Sequence, residues 1–180
     1  DGLLEKADFA DIDWADSETR VDFGKQYNNK TAVLRKAYAN FQGSEAFDAF
    51  QAENEAWLPD FCLFMALKGE KNSAAWYTWE DDLKFRKVRA LNAAKKRLAD
   101  EIRFFAFVQF LFYKQWNALR SYANGKDIEI IGDVPIYVPY DSVEVWTEPK
   151  LFQLDKDLAP TAVAGCPPDA FSADGQLWGN

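Results

Sequence analysis

The run Ile128-Glu129-Ile130-Ile131-Gly132-Asp133 is short, β-branched and closed by Gly and Asp, and it follows a helix-stop signal at Asn124-Gly125. A β-branched run entered through a short loop after a helix has the pattern of a βα unit, so a strand is predicted here. Ile136-Tyr137-Val138 prolongs the apolar run. Pro135 cannot donate to a ladder, however, and prevents one regular central strand across both pieces. Asp133 falls just past the run, where barrels and open sheets present ligand-binding side chains. The plainer reading of Asp133 is a carboxylate that satisfies local turn amides.

Upstream of this run the chain reads as helical. The clearest pattern predicts one long helix from about Lys84 to Tyr122, in which Leu91, Leu98, Ile102, Phe105, Phe112, Trp116 and Leu119 recur at steps of three, four or seven. Phe104 to Phe112 is apolar nearly all round, which demands partners on several sides. Arg20 to Phe41 is a second candidate helix, ended by Gly43-Ser44, with Ser44 placed to cap a third. Ala46, Phe47, Phe50 and Trp57 form its stripe up to Pro59, and an apolar run Phe61 to Leu67 follows. Thr78 with Asp81 resembles a capping box. Trp76, Tyr77 and Trp79 would serve as a stacking platform or, more simply, as aromatics buried between helices.

Downstream, Asp141 or Ser142 can cap a short helical turn to Trp146, and Thr147 to Asn180 shows little regular pattern. Six of the seven Pro lie in residues 127–180. Such a long stretch without elements is usually functional or disordered, and Phe152, Phe171, Leu177 and Trp178 argue for order. Pro167-Pro168-Asp169-Ala170-Phe171-Ser172 sets a carboxylate and an aromatic ring two residues apart on a stiff loop. Gly175-Gln176-Leu177-Trp178-Gly179-Asn180 adds an amide and an indole. Aromatic faces with amides and carboxylates are the combination that recognises sugars, although core-packed loops can look the same.

Composition removes whole classes of chemistry. The chain of 180 residues contains no His, which excludes the Ser-His-Asp triad, Cys-His pairs and His metal sites. Cys62 and Cys166 form no CxxC, and two unpaired-looking thiols fit a reducing cytoplasm. Residues 1–126 carry 19 acidic and 19 basic residues, so 127–180 hold the whole net charge of −8. An acidic chain without a basic stripe argues against nucleic acid, and no apolar run is long enough for a membrane. No metal or other cofactor is expected. Paired carboxylates for glycoside chemistry cannot be picked out by spacing from 29 acids. The chain does not begin with Met and is expected to be part of something longer.

Ile130-Ile131-Gly132-Asp133-Val134-Pro135-Ile136-Tyr137-Val138, Asp141-Ser142, Val145-Trp146, Leu151-Phe152, Val163 to Asp169, Phe171-Ser172, Gly175-Gln176 and Trp178-Gly179-Asn180, in that order, resemble the 4-α-glucanotransferases of glycoside hydrolase family 77, the amylomaltases or disproportionating enzymes. Residues 1–127 resemble the family's helical insert by pattern. The resemblance implies an α/β fold, a (β/α)8 barrel with inserted subdomains, of which this chain is a predominantly helical piece. Residues 1–126 would be the helical subdomain and 127–180 a barrel strand with a long acceptor-side loop. It implies transfer of α-1,4-glucan segments between maltooligosaccharides with retention, through a covalent glucosyl-enzyme. The Asp nucleophile, the Glu acid/base and the stabilising Asp lie on family motifs that follow residue 180, so no catalytic residue is assigned here. As substrate-binding residues it implies Asp133 near the donor sugar, Asp169 and Phe171 on a mobile acceptor-side loop, and Gln176 and Trp178 just after it. Ala170 departs from the pattern, since some relatives carry Tyr there. Pro167-Pro168 and the glycines Gly175 and Gly179 would let the loop close as a unit and exclude water. The partners implied are α-1,4-glucans and the remainder of the barrel. Two other readings stay open: a carbohydrate-binding module without chemistry, and a helical interaction domain with Phe104 to Phe112 as its surface.

Overall fold

Helix formation starts where a side chain can satisfy the first free amides. Asp22 accepts a 2.9 Å hydrogen bond from the Lys25 amide and opens α1, Phe23–Ala39, which is shorter at both ends than the Arg20 to Phe41 expected. Ser44 caps α2, Glu45–Glu53, through the Phe47 amide at 3.1 Å, as its position predicted. The computed structural model describes residues 2–135 and 137–178. Helix α2 stops at Asn54, whose side chain donates to the Phe50 carbonyl and accepts from the Trp57 indole. Pro59 therefore begins the next helix instead of ending the stripe. In the first turn of α3, Leu58–Glu70, its missing N–H costs no helical bond.

Helix α3 lies at the centre. Leu58 and Cys62 enter a cluster with Tyr38, Phe47, Phe50, Phe104 and Phe107. Leu63, Phe64 and Leu67 enter a second cluster with Trp76, Trp79, Leu83, Val145 and Trp146. Burial with no charged neighbour pushes the Cys62 thiol up to about 12. Cys62 and Cys166 are both free thiols.

Beyond α3 the backbone turns sharply, with Asn72 and Ser73 in the left-handed region at φ 52° and 62°. Trp76–Thr78 form a 3-10 turn. Trp76 and Trp79 are buried, as the simpler reading of these aromatics had it, and Tyr77 alone is exposed. The expected Thr78/Asp81 capping box does not form. The Thr78 hydroxyl donates back to the Ala75 carbonyl, and Glu80 precedes α4, Asp81–Lys84, without a side-chain cap.

The long helix expected from Lys84 to Tyr122 is three pieces: the end of α4, then α5, Val88–Arg97, and α6, Ala99–Asn124. Arg86 takes a left-handed conformation at φ 53° and swings its guanidinium to Asp60 and over the Trp146 ring. Tertiary contacts thus override the periodicity. Leu98 bends the chain between α5 and α6 while its carbonyl still accepts from Ile102, so the hydrophobic spacing runs across the bend. Helix α6 ends where Asn124-Gly125 predicted, but the left-handed residue is Asp127, φ 58°. Ile128 N–H reaches the Ala123 carbonyl at 3.1 Å and closes the end.

The strand expected at 128–133 does not form. Residues 128–135 pair with no other strand among the described residues, and Ile131 and Val134 are exposed. A β-strand needs a hydrogen-bonded neighbour; among the described residues the strands β1, Gly165–Cys166, and β2, Gln176–Leu177, pair with each other, and Leu154 and Pro160 form an isolated bridge. The suggested extension through Ile136 lies outside the described residues. Ser142 caps α7, Val143–Thr147. Asp141 instead pairs with Lys68 at 2.6 Å and accepts the Trp76 amide. Trp146 is buried in the second cluster, its indole N–H on the Leu83 carbonyl at 3.0 Å. The segment 127–178 is thereby joined to the helical layer. No helix among the described residues is long and apolar enough to cross a membrane.

Leu63→Ala is expected to cost about 3–4 kcal/mol, because Leu63 is fully buried between helices that cannot collapse onto the gap; urea denaturation measures it. A hydrogen bond from Arg97 holds the Glu70 carboxyl below its ordinary value of 4.5. The stability contributed by such a depressed acid is present above that value and is lost as pH falls through the folded value. The thermal midpoint is therefore expected to drop as pH falls below about 4.5, and Glu70→Gln to flatten part of that slope.

Candidate functional site

The C-terminal hairpin gathers four of the five site residues predicted from sequence. Gly165 pairs with Leu177 and Cys166 with Gln176 in antiparallel register, and the Trp178 amide donates to the Ala164 carbonyl at 2.8 Å. Pro167 and Pro168 fix the backbone as it leaves β1. Asp169 then folds the tip: its Oδ1 accepts both the Phe171 and Ser172 amides at 2.8 Å. The Ser172 hydroxyl donates to the Gly175 carbonyl at 2.7 Å. Gly175 returns the chain at φ +73°, where a Cβ would stand 2.5 Å from the Cys166 carbonyl oxygen, so only glycine fits.

The tip has an aromatic consequence. With Asp169 turned inward, Phe171 projects into solvent at 94% exposure. Trp178 is half exposed, and its indole N–H donates to Gln176 Oε1 at 2.9 Å. That bond leaves the Gln176 NH2 group without a partner among the described residues. The Trp178 ring lies 5.5 Å from Tyr137, a residue that sequence reasoning had not assigned to the site. Its place in the run Ile130 to Val138, four positions after Asp133, was the available signal.

Asp133 is exposed, and no contact among the described residues ties it to the hairpin. The four hairpin residues and Asp133 are therefore not assembled into one constellation by this chain. Asp169 spends one oxygen on its own loop, which supports the turn role beside any ligand role. Gly179 and Asn180, the end of the predicted loop, lie outside the described residues. Beneath the hairpin runs a groove of about 640 Å³ lined by Tyr137, Tyr140, Glu144, Phe152 and Val163 among others. Flat aromatic faces, a free amide and a carboxylate on one exposed hairpin can bind the C–H face and hydroxyls of a sugar. They offer no nucleophile–base pair.

A sequence profile of the 4-alpha-glucanotransferase family matches residues 1–180. The chain belongs to that family. It is 44% identical to the 4-alpha-glucanotransferase of Clostridium butyricum, over 99% of this chain and 37% of the relative. It is 47% identical to that of Thermus thermophilus, over 89% of this chain and 33% of the relative. Among solved structures it superposes with a TM-score of 0.93 on an amylomaltase from Streptococcus agalactiae in complex with acarbose, at 42% identity, over 99% of this chain and 37% of that one. The chain thus spans about a third of the length of the relatives it matches. The family match agrees with the resemblance read from the motifs between Ile130 and Asn180.

Gly175→Ala is expected to open the hairpin tip without disturbing the helices. NMR should then lose the cross-strand contacts between Gly165 and Leu177 while far-ultraviolet circular dichroism stays unchanged.

Proposed function

We propose that this chain is the helical and acceptor-side portion of a 4-alpha-glucanotransferase that moves α-1,4-glucan segments between maltooligosaccharides in the cytoplasm. The observation that carries the reading is the hairpin that displays Phe171 and Trp178 to solvent, in a chain 42% identical to an amylomaltase seen with acarbose. In this reading the reaction is a retaining double displacement, and its catalytic carboxylates lie on other parts of a (β/α)8 barrel. The chain on its own does no chemistry.

The hairpin residues then have distinct tasks. Phe171 and Trp178 stack on acceptor glucose units, and the Gln176 amide donates to a hydroxyl. Asp169 holds the tip that presents Phe171 and offers its second oxygen to the sugar. Asp133 serves the donor side. Transfer must outrun hydrolysis, and a hairpin that closes over the acceptor excludes water and holds the attacking hydroxyl in place. Residues 1–126 are the inserted helical subdomain, and 127–135 pair within the barrel. The exposed Ile131 and Val134, and Phe112, Leu119 and Tyr122 on α6, support this partner, since large apolar side chains left exposed are the material of a contact surface.

In the full-length enzyme, Phe171→Ala and Trp178→Ala are each expected to lower transfer to an acceptor sugar by about tenfold or more, as truncation of an aromatic anchor does. Unchanged rates of maltotriose disproportionation in both variants would overturn the acceptor role. Robust turnover of maltotriose by the isolated 180-residue chain would overturn the assignment of chemistry to the rest of the barrel.

A further inference from the structure

Tyr140 joins three segments that are far apart in sequence. Its ring stacks on Tyr77 at 4.4 Å and 9° and meets Trp76 edge-on. Its carbonyl accepts the Trp76 indole N–H at 2.7 Å. Its hydroxyl donates to the Leu158 carbonyl at 2.5 Å. The next residue, Asp141, is clamped by Lys68, whose ammonium also holds the Ser73 and Ala74 carbonyls of the left-handed turn.

Leu158 is itself a strained position, at φ 62°. It closes a knot in which Asp155 Oδ1 accepts the Asp157 and Ala159 amides and the Thr161 amide donates to the Gln153 carbonyl. A branched residue stays left-handed only where its surroundings over-determine it; Leu154 and Leu158 pack against the second cluster, and the Tyr140 hydroxyl adds a hydrogen bond to the Leu158 carbonyl that fixes the backbone there. Burial raises that hydroxyl above its ordinary value of 10.0, so it remains a donor. Three residues past the knot, Ala164 receives the Trp178 amide. On the other side, Tyr137, three residues before Tyr140, touches the Trp178 ring. Both ends of the hairpin are thus referred to one residue.

We propose that Tyr140 is a positioning residue for the acceptor side: it fixes the hairpin of Phe171 and Trp178 relative to the helical layer through Leu158 and Tyr137. The proposal rests on the transferase reading above for its kinetic consequence, but not for its structural one.

The test is Tyr140→Phe in the full-length enzyme, which removes the hydroxyl and keeps the stacked ring. The expected result is an acceptor KM, with glucose as acceptor, raised about threefold to tenfold, the worth of one hydrogen bond. Donor KM for maltotriose and kcat at saturating glucose should stay within about twofold of the unsubstituted enzyme on the same scale. Hydrogen exchange at the Trp178 amide should also quicken relative to amides of α3. An unchanged acceptor KM with unchanged exchange overturns the proposal, as does a parallel loss on donor and acceptor that tracks a drop in Tm. Absence of transfer in the unsubstituted enzyme would overturn the functional reading instead, and exchange at Trp178 would still decide the role of Tyr140.

Discussion

Burial of helix α3 from both sides is the constraint on which the rest of the structure depends. The N-terminal half of α3, through Leu58 and Cys62, feeds one apolar cluster with α1, α2 and α6, and its following residues, Leu63, Phe64 and Leu67, feed another with the 76–79 turn, α4, α5 and α7. A helix that is apolar nearly all round has no stable solvent-facing side, so it requires two layers of partners. The second layer is completed by Trp146 and Val145, which come from beyond α6. Docking of the C-terminal third is therefore part of the core and not an appendage to it.

That dependence explains how a loop rich in proline keeps a defined shape. The segment 153–178 is shaped by side-chain to backbone bonds at Asp155, Asp169 and Ser172 and is tied to the core by Leu154 and Leu158, packed against the second cluster, and by the Tyr140 hydroxyl on the Leu158 carbonyl. Local polar bonds define the turns, and a few aromatic anchors define where the turns sit.

Several features were legible because they are local. Ser44 acts as a cap for reasons confined to one helical turn, and the stop after Asn124 follows from local backbone signals. The grouping of Asp169, Phe171, Gln176 and Trp178 was legible from the stiff Pro167-Pro168 lead and the family motifs. Three things were not. The break at Arg86 is imposed by Asp60 and Trp146, distant in sequence, against a spacing that favoured a continuous helix. Asp141 looked like a cap and is instead half of an ion pair with Lys68. Residues 128–133 have strand-forming side chains but pair with no strand among the described residues, and propensity without a partner does not make a strand.

By itself the sequence determined some helix ends, at Ser44 and at Asn124-Gly125, which residues are apolar enough to be buried, that histidine chemistry is excluded, and which motifs mark the family. Those are properties of short windows, governed by capping, sterics and residue type. Only the tertiary structure decided that Trp146 completes the core, that Tyr137 stands beside Trp178, and that Tyr140 links the helical layer to the hairpin. These depend on contacts between residues tens of positions apart, whose formation is set by packing and has no signature in local spacing.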